Sequence, residues 1–254
     1  MKHSPQLQAA LDAAIQAASI ARAMYKHNIE VRIKADKSPV TEADIRCEAA
    51  IRKILEQRFP AYGFYGEETA ARGLDAENIW LVDPIDGTKA FVREYPMFST
   101  QIALMRRGDI VLGVSSAPVY GELAYAERGC GAYLNGNELT VSRIAELESA
   151  ALSAGNLKTL AAGSRWDRYG GLVARVDRIR GYGDFLHYHL LAAGKIDAVI
   201  ESDVNILDIA ACVAIVSEAG GQFTDLGGAP ITLHSRSVLA TNGHLHSPIL
   251  SALE

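Results

Sequence analysis

A short apolar strand that runs directly into two carboxylates constrains this chain more than any other stretch. Residues 79–82 read Ile-Trp-Leu-Val, and Asp83, Pro84 and Asp86 follow at once. Proline fixes its φ angle and has no backbone N–H to donate, so the turn that carries both acids is stiff. The pattern predicts a strand whose end presents a pair of acidic side chains.

The residues after this pair indicate an anion site. Gly87 allows the backbone to approach a ligand closely, and Thr88 opens a predicted helical turn. The free N–H groups at a helix start attract anions. Metal ligands beside a phosphate cradle indicate metal-assisted attack on a phosphoryl group.

Composition narrows the class of partner. The net charge of −5 argues against a general nucleic-acid or membrane-surface binder. An acidic protein that binds phosphate needs local positive charge, and a bound divalent cation is one source. Cys47, Cys130 and Cys212 show no CxxC spacing, which favours free thiols in a reducing compartment. No apolar run has the length of a membrane span and no signal-peptide pattern opens the chain, so we expect a cytoplasmic protein.

Helical and strand patterns follow one another in a mixed order. Helices are predicted from Ser4-Pro5 to a stop at Asn28, from Thr41 to before Pro60, over 167–176, 185–193 and 206–219, and at the C-terminus. Strands are predicted over 30–33, 62–65, 99–106, 109–118, 121–126, 132–134, 138–141, 151–154, 178–180, 197–200 and 238–241. Residues 34–39 read as a polar loop, and Asn135-Gly136 as a hairpin turn. This order predicts a layered α/β or α+β fold with two packed subdomains, residues 1–145 and 146–254.

Three further acids stand at predicted element ends. Glu67 follows a strand, Asp208 lies near the start of a helix, and Asp44 sits in a capping box begun by Thr41. Each also has a purely structural alternative. Glu67 could belong to a solvated acidic turn, Asp208 could be an acid favoured by the helix dipole, and Asp44 could be a helix cap.

Together these motifs resemble the inositol monophosphatase superfamily. The resemblance rests on Gly66-Glu67-Glu68, Asp83-Pro-Ile-Asp-Gly-Thr88, Asp208-Ile-Ala-Ala and Ser217-Glu-Ala-Gly-Gly221, with Thr41–Asp44 and Gly131–Gly136 fitting in order as well. It implies an α-β-α-β-α layered sandwich and a magnesium-dependent, typically lithium-sensitive phosphatase. It also implies a homodimer.

The resemblance assigns roles position by position. The implied ligands of two or three Mg²⁺ ions are Glu67, Asp83, the backbone carbonyl of Ile85, Asp86 and Asp208. Thr88 matches the residue that orients the attacking water, with Glu67 or Asp44 as its acidic helper, and the N–H groups of Gly87 and Thr88 would hold phosphate oxygens. The resemblance also implies in-line attack without a phospho-enzyme. The family usually has Trp where Leu207 stands, so the substrate wall there lacks an indole N–H.

The chain is most similar to the histidinol-phosphate phosphatase branch of that superfamily. Asp184 and Glu201 fall where substrate contacts are expected, and a carboxylate at Asp184 could pair with a cationic amine or imidazole. The alternative for Asp184 is a helix N-cap before Phe185. His187 and His189 are two apart and share no helix face, so they are not a metal pair.

The leading hypothesis is therefore hydrolysis of the small phosphate ester L-histidinol phosphate. Inositol 1-phosphate or a broad range of sugar phosphates is the alternative substrate class. A catalytically silent interaction protein is a third hypothesis, and the intact set of implied ligands argues against it.

Overall fold

The computed structural model describes residues 3–27, 30–34 and 39–254. The predicted helix stop at Asn28 lies outside the described residues, as do positions 35–38 of the predicted polar loop. No helix among the described residues is long and apolar enough to cross a membrane.

Eight α-helices form within the described ranges. They are α1 (Pro5–Met24), α2 (Glu42–Arg58), α3 (Thr88–Val92), α4 (Lys158–Ala162), α5 (Trp166–Val173), α6 (Asp184–Ala192), α7 (Ile206–Glu218) and α8 (His246–Leu253).

The same ranges contain fourteen strands. They are β1 (Val31–Ile33), β2 (Pro39–Thr41), β3 (Gly63–Gly66), β4 (Asn78–Asp86), β5 (Ser99–Arg106), β6 (Asp109–Ala117), β7 (Glu122–Glu127), β8 (Ala132–Leu134), β9 (Asn137–Glu138), β10 (Ala151–Ala154), β11 (Arg178–Arg180), β12 (Ala198–Ser202), β13 (Gln222–Thr224) and β14 (Ser237–Thr241).

Two large sheets organise the molecule. The first has seven strands in the order β3-β4-β5-β6-β7-β8-β9, antiparallel except for the parallel pair β3–β4. The second has five strands in the order β11-β10-β12-β14-β13, where β10 pairs in parallel with both β11 and β12. β1 and β2 form a separate antiparallel ribbon.

Helices cover both faces of each sheet. One apolar cluster joins α1 and α2 to the outer face of the seven-stranded sheet. A second joins α6 and α7 to the inner faces of both sheets, and a third joins α4, α5 and α8 to the outer face of the five-stranded sheet. The layers therefore run α-β-α-β-α, and the predicted fold class is confirmed. The division into subdomains 1–145 and 146–254 stays a prediction.

Local sequence signals explain the first two helices. The Ser4 hydroxyl accepts a hydrogen bond from the N–H of Leu7 at 3.0 Å, and Pro5 takes the first helical position. At α2, the Thr41 hydroxyl accepts from Ala43 N–H, while the Asp44 carboxylate accepts from Thr41 N–H at 2.8 Å. The predicted capping box is therefore present.

Several element boundaries differ from the predictions. β4 continues beyond residue 82 to Asp86, with an irregular register between Asp83 and Asp86 around the proline. The helix 158–162 and the strand 222–224 were not predicted, because elements this short leave no readable periodicity. The hairpin at Asn135-Gly136 forms with both residues at positive φ, but β9 ends at Glu138 and not at 141.

Candidate active site

The end of β4 holds its two acids in a fixed backbone. The Asp83 carboxylate accepts a hydrogen bond from the N–H of Ile85 at 2.9 Å, which folds the side chain back over the turn. The hydroxyl of Thr100 on β5 donates to the carbonyl of Pro84 at 2.9 Å. Both acids therefore lie along the paired edge between β4 and β5, where Asp86 is opposite Ser99 in the strand register.

Asp208 joins them from a distant part of the sequence. It is the third residue of α7, and its carboxylate accepts from the N–H of Asn205 at 2.9 Å, which closes a second capping box. Each of Asp83, Asp86 and Asp208 offers a carboxylate oxygen, and these atoms lie within 4.8 Å of one another. The fold thus brings together acids from two distant parts of the sequence.

These carboxylates strongly affect one another. Burial raises the pKa of Asp83 well above its usual value, and the neighbouring charges of Glu67, Asp86 and Asp208 add to the increase. The pKa of Asp86 is raised by burial and by Asp184 and Asp208. Burial also raises the pKa of Asp208 to about 7, although the hydrogen bond from the N–H of Asn205 acts to lower it.

The donor set fits a hard divalent cation. Buried like charges within 4.8 Å repel one another unless they are protonated or neutralised. Carboxylate oxygens are the ligands that Mg²⁺ and Ca²⁺ prefer, whereas the described residues place no His or Cys ligand in this group. Asp83, Asp86 and Asp208 are therefore the residues that would hold a cation.

Glu67 lies beside this group but outside it. Its charge and a side-chain hydrogen bond act on Asp83, yet its Oε1 also accepts from Lys34 Nζ at 3.0 Å. The same ammonium donates to Glu68 Oε1 at 2.6 Å. Burial lowers the pKa of Lys34, but the two carboxylates outweigh burial and raise it. Glu48, fully buried on α2, accepts from the N–H of Glu68 at 2.7 Å and so holds this turn in place.

The predicted phosphate cradle follows the Asp83–Asp86 turn. Gly87 has φ +87° and precedes α3, which begins at Thr88. A side chain at Gly87 would be strained, and its Cβ would lie 2.4 Å from the carbonyl oxygen of Met97. The Ile85 carbonyl accepts from the Thr88 hydroxyl at 3.0 Å. The first backbone amides of α3 thus lie directly beside the cluster of Asp83, Asp86 and Asp208, which we call the acidic group.

The Thr88 hydroxyl has an acidic partner, and it is Asp44. Thr88 Oγ1 lies 3.1 Å from Asp44 Oδ1, whereas Asp44 Oδ2 accepts from the hydroxyl and N–H of Thr41. Asp44 has no exposed surface, and burial raises its pKa despite these hydrogen bonds. The sequence left helix capping and a catalytic role as alternatives for Asp44. In the structure its carboxylate caps α2 and contacts Thr88 at the same time.

Glu201 is held by the protein rather than presented freely. It is buried, its Oε2 lies 2.6 Å from the Tyr188 hydroxyl and 3.1 Å from His187 Nε2, and its Oε1 accepts from the N–H of Asn156 at 3.2 Å. Burial raises the pKa of Glu201, but His187 and the hydrogen bonds lower it below its usual value. Its predicted substrate contact stays a prediction.

Asp184 differs from Glu201 in having no hydrogen-bond donor among the described residues. It is the first residue of α6 at φ +46°, and Gly183 before it occupies the N-cap position. The N-cap alternative is therefore wrong for Asp184. Burial and the charge of Glu201 raise its pKa, and its own charge acts on both Asp86 and Asp208.

Other predictions near the site have clear outcomes. Leu207 is buried in the apolar layer between the sheets, and the effect on the substrate wall of a leucine in place of the usual Trp stays a prediction. His187 and His189 bind different partners, as their spacing predicts. Cys47, Cys130 and Cys212 are free thiols.

Two features of the site were not foreseen. Nothing in the sequence singles out Lys34, which lies in a stretch that reads only as polar. Ser99 makes a hydrogen bond to Asp86 from inside a sheet, and Gln101 in turn contacts Ser99. A polar triplet at 99–101 within a predicted strand was the available signal.

Comparisons with known proteins agree with this geometry. The sequence model described as "Inositol monophosphatase family" matches residues 2–254. The chain belongs to the inositol monophosphatase family. It is accordingly a phosphatase that hydrolyses phosphate monoesters.

Family relatives carry two kinds of name. The chain is 40% identical over 231 residues to the histidinol-phosphatase of Mycobacterium tuberculosis, a match that covers 89% of this chain and 88% of that protein. It is 34% identical over 232 residues to the inositol-1-monophosphatase of Mesorhizobium japonicum, with 89% and 87% covered.

The family fold is also seen in solved structures. The extragenic suppressor protein suhB of Bartonella henselae superposes with a TM-score of 0.91 at 32% identity, over 99% of both chains. The inositol monophosphatase of Anabaena superposes with a TM-score of 0.85 at 28% identity, over 97% of this chain and 94% of that one.

Proposed function

We propose that this protein is a Mg²⁺-dependent phosphomonoesterase that hydrolyses L-histidinol phosphate to L-histidinol and phosphate. The observation that carries the catalytic part is the meeting of Asp83, Asp86 and Asp208 within 4.8 Å beside the first amides of α3. The carboxylates would bind divalent cations, and the amide N–H groups beside them would bind the oxygens of a phosphate ester.

The cation sites come from the acidic group and its neighbours. Asp83, Asp86 and Asp208 would supply carboxylate oxygens, with Glu67 and the carbonyl of Ile85 completing two or three sites. Bound Mg²⁺ supplies Lewis-acid charge that stabilises phosphate oxygens and lowers the pKa of water. Lys34 occupies Oε1 of Glu67, so Oε2 is the oxygen that Glu67 would offer to a cation while this ion pair is intact.

The chain's own groups position the reactants. The N–H groups of Gly87 and Thr88 bind phosphate oxygens, since the α3 start leaves its first donors unused. The Thr88 hydroxyl orients the attacking water, and Asp44 holds that hydroxyl at 3.1 Å. Asp44 is the better placed acidic helper, because it contacts Thr88 directly whereas Glu67 is 3.0 Å from Lys34.

The choice of ester rests on Asp184. This carboxylate is half-buried in an acidic environment, with Glu201 nearby and no hydrogen-bond donor among the described residues. A cationic amine or imidazole on the leaving group would pair with it, whereas a neutral polyol would leave the charge uncompensated. The identity to two proteins named histidinol-phosphatase, 40% and 37%, supports the same choice.

Inositol 1-phosphate is the second candidate substrate. Two relatives named inositol-1-monophosphatase are 34% identical to the chain, and the Anabaena inositol monophosphatase shares the fold. Side-by-side turnover of the two esters with Mg²⁺, with and without Li⁺, decides between them. Preference for L-histidinol phosphate is expected, whereas equal rates or preference for inositol 1-phosphate would reject it.

A further inference from the structure

A continuous row of polar side chains leaves Asp86 and crosses the seven-stranded sheet. The Ser99 hydroxyl donates to Asp86 Oδ2 at 3.2 Å, and Gln101 Nε2 lies 2.7 Å from Ser99 Oγ. The second hydrogen of the same amide nitrogen points to Ser115 Oγ, at 3.1 Å. Ser99, Gln101 and Ser115 are each at most 1% exposed.

His189 on α6 connects this row to the protein surface. Its Nε2 lies 2.8 Å from Ser115 Oγ, and its Nδ1 lies 2.7 Å from Glu122 Oε2. His189 is 2% exposed, whereas the Glu122 side chain is 26% exposed. We name Ser99, Gln101, Ser115, His189 and Glu122 the polar row.

The polar row lies where the fold otherwise places apolar groups. Ala103 and Met105 continue the same face of β5 and pack in the apolar layer against α7. Burying hydroxyl and amide groups in such a layer costs free energy unless each is hydrogen-bonded. Hydrogen bonding throughout the row meets that cost, but it does not explain why the row runs from a surface carboxylate to Asp86.

Donors and acceptors in the row fit only one direction. An Asp86 carboxylate that binds a cation is ionised and can only accept, and the same holds for ionised Glu122. In that state Ser99 donates to Asp86, and His189 donates through Nδ1 to Glu122. In the tautomer that carries its hydrogen on Nδ1, the His189 ring has a bare Nε2, which accepts the Ser115 hydroxyl. Gln101 fills the remaining lone pairs of both serines with its two amide hydrogens. Glu122 thereby selects the tautomer of His189. His189 in turn orients the Ser115 hydroxyl, Ser115 orients the Gln101 amide, and Gln101 orients the Ser99 hydroxyl.

We propose that His189 is a positioning residue that acts on Asp86 through the polar row. By accepting the Ser115 proton it keeps the Gln101 amide nitrogen turned toward both serines, which leaves the Ser99 proton free for Asp86 Oδ2. This fixes which oxygen of Asp86 faces a cation. The inference rests on the proposed function, because it takes Asp86 to be a cation ligand.

Loss of His189 would reverse the row. The Ser115 hydroxyl would lose the acceptor that His189 Nε2 provides. A rotation of the Gln101 side-chain amide by 180° would then present its Oε1 to Ser115 as the new acceptor. The same turn would present Oε1 to Ser99, and the Ser99 proton would leave Asp86. Groups that orient metal ligands in this way typically change metal affinity by about 10- to 100-fold when they are removed.

Calorimetric titration of Mg²⁺ or Mn²⁺ into the EDTA-stripped full-length protein, without substrate, tests this. His189→Phe, which keeps an aromatic ring against Phe185, is expected to raise the metal Kd about tenfold. Ser99→Ala is expected to do the same, and the double variant to bind no more weakly than Ser99→Ala alone. A purely structural role would instead make the two effects multiply.

His246→Phe is the matched control. His246 is 1% exposed and bonded to Thr224 and Thr241 in the other sheet, so its loss should lower stability without changing metal affinity. Glu122→Ala probes the row from its more exposed end and should weaken metal binding in the same direction even if His189→Phe fails to fold.

The outcomes distinguish failure of the proposed function from failure of the polar row. A wild-type protein that binds no divalent cation contradicts the proposed function and this inference together. If the wild type binds the cation and its Kd is unchanged in His189→Phe and Glu122→Ala, the role of the polar row is wrong while the proposed function stands. The same holds if the effects of His189→Phe and Ser99→Ala multiply in the double variant.

Discussion

The Asp44 carboxylate contacts both Thr41 at the start of α2 and Thr88 at the start of α3. One oxygen accepts the hydroxyl and N–H of Thr41, and the other accepts the Thr88 hydroxyl at 3.1 Å. A helix cap and a candidate catalytic hydroxyl are therefore linked through a single fully buried side chain. The cap fixes the carboxylate, and Asp44 shares the Thr88 hydroxyl proton with the Ile85 carbonyl, which lies 3.0 Å from the same oxygen. These two acceptors together orient the Thr88 hydroxyl.

This link predicts separable effects on rate and stability. Thr88→Val, which removes the hydroxyl but leaves the Thr41 cap, should lower kcat about 100-fold with little change in Tm. Thr88→Ser should retain most of the rate. Thr41→Ala should instead lose about 1 kcal/mol of stability through the cap, while keeping more activity than Thr88→Val. Wild-type kcat in Thr88→Val would remove Thr88 from the mechanism.

Asp83→Asn should abolish turnover and leave the fold intact. Asp83 is a predicted cation ligand in the acidic group, so a loss of about 1,000-fold or more in kcat is expected. Phosphate release and circular dichroism measure the two properties. Asp109→Asn is the control, because Asp109 is an exposed acid whose ion pair with Arg128 lies on the surface. Full activity in Asp83→Asn would show that the cation assignment is wrong.

The raised pKa of Asp208 predicts how stability depends on pH without divalent cations. Its pKa is about 7 in the folded chain against 3.8 for an ordinary Asp, so the folded state binds the proton more tightly between these values. Stability from this group is therefore present at low pH and lost as pH rises to about 7. From about pH 5.5 to about pH 7.5 the loss is about 2 kcal/mol, or about 4–8 °C in Tm.

Asp208→Asn provides the comparison for this effect. The amide cannot titrate, so in EDTA the Tm of the variant should fall less over the same pH interval, and at its upper end the variant should be the more stable protein. Differential scanning fluorimetry at several pH values measures both profiles. Parallel profiles for the two proteins would contradict the assignment of the titration to Asp208.

Asp184→Asn should change substrate preference. If Asp184 pairs with a cationic leaving group, kcat/KM for L-histidinol phosphate should fall about 10- to 100-fold, while the value for inositol 1-phosphate stays nearly constant. Asp203→Asn is a matched control, since Asp203 is also an acid at positive φ but is exposed and bonded to Thr159. Equal losses for both esters in Asp184→Asn would count against a specificity role.

Gly155→Ala should disturb Glu201. A Cβ at position 155 would lie 1.6 Å from Glu201 Oε1, and three hydrogen bonds prevent that carboxylate from moving freely. We expect a loss of about 1–3 kcal/mol in the free energy of unfolding, measured by urea denaturation. Gly170→Ala on α5 is the control, because nothing apart from its chain neighbours and the backbone of its own helix lies within 4 Å of the position that the new methyl group would take. A fully stable Gly155→Ala protein would mean that the Glu201 network adapts easily.

The sequence alone determined much of this protein. The Ser4 and Thr41 caps, the Asn135-Gly136 turn and the run from Asp83 to Thr88 depend on residues close together in the chain, and local signals of this kind can be read directly. The order of the predicted elements indicated a layered fold, and the resemblance of the motifs to a known family indicated the family and its sandwich.

Only the tertiary structure decided how distant groups meet. Asp208 reaches Asp83 because α7 packs between the two sheets, and Lys34 reaches Glu67 across 33 positions of sequence. His189 contacts Ser115 although 74 positions separate them. Such contacts have no local signature, because packing of whole helices and strands, rather than the preferences of neighbouring residues, sets the distance between the side chains.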